Sequence, residues 1–111
     1  MKLTPEAVKK LAPDSKAVTA ARSVANPKHW TELGVDGDQY WGRCQGSDLY
    51  SVYCNIKSNQ LDCSCPSRKR PCKHSLGLLM LAAGGHPIPQ APVPAGLISE
   101  AESSYYESNW E

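Results

Sequence analysis

The chain has 111 residues, with 12 Lys plus Arg against 11 Asp plus Glu, for a formal net charge of +1. That length suits one ordinary domain and is too short for two full cores, and a near-neutral total gives no support for a globally basic nucleic-acid binder. Hydrophobic residues make up 41%, Phe is absent, and 9 Pro with 8 Gly predict frequent turns and an extended segment around a lean core.

The total conceals charge blocks: a net +4 over residues 1–30, −3 over 31–55, +4 over 56–75 and −4 over 76–111. The first block predicts two short helices. Thr4 suits an N-cap, with Pro5 at the first helical position and Glu6 in the first turn. Pro13 ends this helix. Asp14 or Ser15 caps a second one through Ala25, with Ala17, Val18, Ala21 and Val24 as its apolar stripe. Asn26-Pro27 stops it, because the residue before proline avoids helical geometry. Such basic helices either present a solvated face, the plainer reading, or rest on phosphates.

Residues 30–65 follow strand periodicity. Strands are predicted over 30–35, 39–45, 49–56 and 60–65, separated by turns at Asp36-Gly37, Gly46-Ser47-Asp48 and Ser58-Asn59. Tyr50, Val52, Cys54 and Ile56 share one face. A two-residue loop at Ser58-Asn59 pairs Lys57 with Gln60, sets Cys54 opposite Cys63, and puts Leu61, Cys63 and Cys65 on the Val52 face. A one-residue slip would send both of those cysteines to the other side.

From 72 to 83 the period becomes helical, with Pro71 suited to the start and Gly84-Gly85 to the stop. Leu76, Leu78, Leu79, Met80 and Leu81 cover more than one stripe, so this helix should be buried on several sides. Gly77 would admit a neighbouring backbone closely. Residues 86–94 include Pro87, Pro89, Pro92 and Pro94 and predict a polyproline-like linker. The remaining acidic, serine-rich tail carries Tyr105, Tyr106 and Trp110 and is expected to be flexible alone or weakly helical when docked. The chain thus divides into a helical segment (1–29), a β-meander with a metal-binding unit (30–85), and a linker with an acidic tail (86–111).

No signal peptide is visible at the N-terminus, and the longest apolar run, residues 78–83, cannot span a bilayer. A soluble, cytoplasmic protein without a membrane partner is the expectation. Five cysteines cannot all pair internally. In a reducing compartment, closely spaced cysteines read as metal ligands or reactive thiols before disulfides.

The chemistry concentrates in Cys63-x-Cys65, six residues, then Cys72-x-His74. Cys63 and Cys65 at i and i+2 of a strand project to one side, and a first helical turn bends Cys72 and His74 toward the same point. Three thiolates and an imidazole complete a tetrahedral sphere, leaving no vacancy, so the arrangement reads as one structural Zn2+ rather than a catalytic one. The alternatives are small buried hydrophobes with a surface histidine, or a redox thiol pair; C-x-C beside C-x-H favours a metal. Cys44 and Cys54 read as core residues, with Cys54 a possible wall of the metal pocket; His29 and His86 read as solvated.

This pattern resembles the SWIM zinc finger, a ββα unit, here preceded by Trp41-Gly42, Gly46-Ser47 and Leu49-Tyr50-Ser51-Val52 and followed by Leu78-Leu79. The resemblance covers about residues 14–83 and is sharp over 41–81. It implies zinc on Cys63, Cys65, Cys72 and His74, an α+β fold, and a module that binds DNA or proteins.

Two partner classes follow. Arg68, Lys69, Arg70 and Lys73 cluster in the ligand loop and first helical turn, where helix-start amides favour phosphate, so DNA is one candidate. Lys9, Lys10, Lys16, Arg22 and Lys28 would extend that patch if the first helices fold beside it. The other candidate is a protein partner, met by an uncovered apolar face of the 72–83 helix and by the acidic aromatic tail. No paired-carboxylate, Ser-His-Asp or phosphate-loop arrangement supports an enzyme.

Overall fold

Two capped helices open the chain in a computed structural model, which describes residues 3–66 and 70–102. Helix α1 (Pro5–Leu11) starts where the Thr4 hydroxyl accepts a hydrogen bond from the Ala7 amide at 3.2 Å. Helix α2 (Ser15–Val24) starts at Asp14, whose carboxylate accepts from the Ala17 amide at 2.8 Å. A short 3-10 turn (Pro27–His29) then delivers Trp30, whose indole donates to the Val24 carbonyl at 2.9 Å. That bond ties the helical segment to the sheet.

Strands β1 (Trp30–Asp36), β2 (Gln39–Gln45), β3 (Leu49–Asn55) and β4 (Gln60–Cys63) form an antiparallel meander in the order β1-β2-β3-β4. Helix α3 (Lys73–Ala83) follows the ligand loop. The β3–β4 register differs from the expected one by two residues. Asn55 pairs with Gln60, and Val52, not Cys54, faces Cys63. The cause is the turn. The Asn55 side-chain oxygen accepts from the Lys57 and Ser58 amides at 3.0 and 3.1 Å, and Asn59 adopts the left-handed conformation at φ 58. Four residues rather than two therefore occupy the loop. A shift of two preserves facing, so Cys54 and Cys63 stay on one side of the sheet. Strand β4 also ends at Cys63, short of Cys65. Ser64 still donates its amide to the Ser51 carbonyl at 3.0 Å and accepts from the Ser51 amide at 2.8 Å through its hydroxyl.

One sheet face carries Cys44, Val52, Cys54 and Cys63, all buried under α3. Leu76, Leu78 and Leu79 of α3 are fully buried, because α1 and α2 close its outer side with Val8 and Ala21. Gly77 permits the close approach: a Cβ there would lie 2.8 Å from Val24 Cγ1 and 3.3 Å from the Ala21 carbonyl oxygen. The apolar face that would have served a protein partner is thus covered by the chain's own first helices. Leu49 is the large hydrophobic left exposed among the described residues.

The other face is closed by the segment after α3. Residues 97–102 are helical and bury Leu97 and Ala101 against Trp41 and Tyr53. The Pro-rich stretch leading there straps the free edge of β1. The Val35 amide donates to the Pro89 carbonyl at 2.9 Å, and the Ala91 amide to the Val35 carbonyl at 3.0 Å. The Trp41 indole donates to the Ala91 carbonyl at 3.0 Å and lies across Gly34, its cross-strand partner, where any Cβ would collide with the ring. A strap that accepts and donates through backbone groups tolerates prolines at the positions whose amides are unused. The expected linker is therefore packed as far as residue 102. The aromatic residues Tyr105, Tyr106 and Trp110 lie outside the described residues. No helix of the described residues is long and apolar enough to cross a membrane.

Candidate metal centre

Cys63 closes β4, Cys65 lies two residues on, Cys72 caps α3, and His74 stands in its first turn. All four side chains are buried, and their ligand atoms lie within 4.8 Å of one another. His74 Nδ1 sits 3.6 Å from Cys63 Sγ and 3.9 Å from Cys72 Sγ. Zn–S bonds of about 2.3 Å and Zn–N bonds of about 2.0 Å in a tetrahedron place neighbouring ligand atoms roughly 3.5–3.8 Å apart. The donor set and its spacing fit one Zn2+ with no open position, a structural site.

The surroundings hold this geometry. Arg70 turns inward, donating to the Cys63 carbonyl at 3.1 Å and to the Cys65 carbonyl at 2.8 Å. It fixes both ends of the C-x-C arm at once. Ser75, fully buried, donates to the Asp62 carbonyl at 3.4 Å and lies 3.8 Å from Cys72 Sγ, linking α3 to β4 behind the sulfurs. Cys72 makes no side-chain capping bond to its own helix. Its sulfur instead sits at the positive end of α3, which favours a thiolate.

Proton affinities follow the crowding. Hydrogen bonds from Cys63 and Cys65 hold the Cys72 thiol far below its ordinary value, while hydrogen bonds with Cys65 and Cys72, and then burial, push Cys63 up. Burial opposes the charged form of His74, but Cys65 and Cys72 outweigh it and raise the imidazole to about 9. Metal binding must displace such protons, so affinity falls in acid. Cys44 is pushed up to about 11, chiefly by burial with a contribution from Cys72, and burial likewise holds Cys54 well above the ordinary range. Both remain thiols. Cys54 faces Leu61 and donates to the Ser75 carbonyl at 3.7 Å, so it anchors α3 rather than walling the metal pocket.

Of the basic quartet, Lys73 is exposed in the first turn of α3, and Arg70 is engaged with the ligand-arm carbonyls. Arg68 and Lys69 lie outside the described residues. Beside the centre opens a cleft of about 510 Å³, walled by Lys16, Ser47, Tyr50, Lys73 and His74 among others. Sequence reading missed it. Lys16 joins the basic patch in the sequence reading only on the condition that the first helices fold beside it, Ser47 reads as a turn residue, and 30 or more residues lie between Lys16 and the other four. The only available signal was the concentration of lysines ahead of the strands.

Residues 48–82 match the family model of the SWIM zinc finger. The match runs from the β2–β3 turn into α3, and so contains the whole ββα unit with its four candidate ligands. No curated protein and no solved structure matches the chain.

Proposed function

We propose that this chain, whose residues 48–82 form a SWIM zinc finger folded around one zinc ion, binds nucleic acid through its phosphates. The observation that carries this reading is the meeting of two basic blocks. Lys16 on α2 and Lys73 on α3 line the same cleft, although 56 residues lie between them. Of the acidic residues at the chain's end, the two described ones lie elsewhere: Glu100 and Glu102 bond to Arg43, Ser51 and Gln60 on the far face of the sheet. The described part of a near-neutral protein thus presents one basic side, which suffices for phosphate contact. Contacts of this kind are tolerant of sequence and weaken as salt rises.

The role is binding rather than catalysis, because four protein ligands fill the metal's coordination sphere and leave no position for a substrate. A protein adaptor working through α3 has less support, since α1, α2 and the sheet already cover that helix. The test is a titration of the zinc-loaded full chain against labelled single- and double-stranded DNA at two salt concentrations. Binding at low salt that falls linearly with the logarithm of salt is the expected result. No binding at low salt overturns the reading.

A further inference from the structure

The two nitrogens of the His74 ring face different surroundings. Nδ1 faces the sulfurs, so a metal-bound ring carries its proton on Nε2. Metal-binding histidines almost always donate that other N–H to a carboxylate, a carbonyl or water. Among the described residues the His74 contacts to the Cys63 and Cys72 sulfurs both run through Nδ1, and the residue is only 6% exposed. The ring lies against Tyr50, with centroids 4.9 Å apart, and its edge opens into the cleft. The nearby turn is too small to fill the gap, since even a Cβ added to Gly46 would stop 3.7 Å from Nε2.

Apart from the ligand sulfurs of Cys65 and Cys72, every other polar side chain of the described lining can donate. Lys16 and Lys73 bring two ammonium groups, and no Asp or Glu is among the described lining residues. The Ser47 and Tyr50 hydroxyls lie 2.7 Å apart and consume one proton between them, leaving the other to point outward. A buried N–H, two cations and a hydroxyl facing one space select an anion with several acceptor oxygens. The two lysines also outweigh the single negative charge of a zinc ion on three thiolates. The remaining described wall is Ala17, Ala20, Gly46, Pro66 and Pro71 together with the ligand sulfurs of Cys65 and Cys72, and about 510 Å³ lies within the usual size range for small-ligand sites.

We propose that this cleft is a phosphate subsite sized for one nucleotide unit, with His74 Nε2–H as its buried donor and Lys16 and Lys73 as its flanking cations. The proposal rests on the nucleic-acid reading for its natural source, a backbone phosphodiester. Free phosphate or a mononucleotide offers the same chemistry. His74 would then serve twice: its Nδ1 would hold the zinc ion that supports the fold, and the tautomer this requires would leave Nε2 a donor.

The test uses the zinc-loaded full chain. Inorganic phosphate, adenosine 5′-monophosphate, adenosine and a labelled single-stranded oligonucleotide are titrated while the His74 Nε2–H resonance is followed by NMR. Three variants accompany it. Lys16→Gln removes a cation, Gly46→Ala sets a methyl against the donor, and Lys57→Gln removes a similar charge at the β3–β4 turn, away from the cleft. Zinc content confirms folding of each. Phosphate, the mononucleotide and the oligonucleotide should all shift the resonance, and adenosine should not. Lys16→Gln should weaken binding roughly tenfold, the scale of one charge-assisted hydrogen bond, with Gly46→Ala also weakening it and Lys57→Gln leaving it within about twofold. If the mononucleotide shifts the resonance and the oligonucleotide does not bind, the subsite stands and the nucleic-acid reading falls. If the oligonucleotide binds with His74 unmoved and both lysine variants equal, the subsite is overturned and the nucleic-acid reading stands. If nothing binds, both fall.

Discussion

The two faces of the sheet are closed by opposite means. On one, four ligands within twelve residues of sequence converge beneath helices. On the other, a strap from the chain's end lays Leu97 and Ala101 on Trp41 and Tyr53, and Glu100 joins Arg43 at 2.8 Å and Ser51 at 2.7 Å. The first closure depends on a few strong bonds made by local sequence. The second depends on many weak contacts between segments about fifty residues apart. A lean core explains the division. With no Phe and 111 residues, the chain lacks the apolar volume to close both faces by packing alone.

The comparison breaks most sharply at the metal. Structural zinc contributes about 10–16 kcal/mol of apparent binding energy at neutral pH, against about 5–15 kcal/mol for the stability of a whole domain. Cys72→Ala should therefore unfold the finger together with the helices packed on α3, read as loss of near-UV dichroism alongside zinc analysis. A variant lacking zinc but keeping its near-UV spectrum would contradict this. On the strap face, Leu97→Ala should cost about 2–5 kcal/mol in urea unfolding, the usual range for a buried leucine, while the protein still carries one zinc. Loss of zinc in that variant would show that the faces are not independent.

A third substitution sharpens the contrast on the metal face itself. Gly77→Ala puts a Cβ against Val24 and the Ala21 carbonyl. Overpacking of this kind costs about 1–3 kcal/mol, of which better helix propensity returns about 1 kcal/mol. A lowered Tm with intact zinc is the expected outcome; a raised Tm would mean that α2 moves away freely.

The smallest effect lies in the ion pairs. Arg43, then Ser51, holds the Glu100 carboxyl below its usual range. A folded pKa below the unfolded one gives stability that is complete above the ordinary carboxylate range and lost as pH falls through the folded value. Glu100 is half exposed, so solvent screening limits the contribution to about 0–1 kcal/mol. Glu100→Gln should remove that small acid-sensitive part and nothing else, measured as urea midpoints of the variant and the parent between neutral and mildly acidic pH.

The legible part of this molecule is the part written locally. Thr4 and Asp14 announced their helices, because a capping side chain bonds an amide three residues ahead. Alternation placed the four strands, and C-x-C with C-x-H named the ligands, because three thiols and an imidazole within twelve residues make one complete tetrahedral donor set. Gly77 likewise pointed locally to a close helix contact. The β3–β4 register escaped because Asn55 reads like any strand residue until its side chain is seen collecting two turn amides.

What only the tertiary structure decided depends on distance along the chain. Nothing in the spacing of Arg70 said that its guanidinium would hold the Cys63 and Cys65 carbonyls rather than face solvent. Nothing in the Pro-rich stretch said that it would pair with the edge of β1, since prolines permit an extended strap and a free linker alike. The meeting of Lys16 with Lys73 and His74 required α2 to pack on α3. Sequence determined the metal site because coordination needs few residues with fixed chemistry at short range. The strap, the covered helix and the cleft depend on which surfaces meet, and that is settled by packing among segments whose local preferences leave it open.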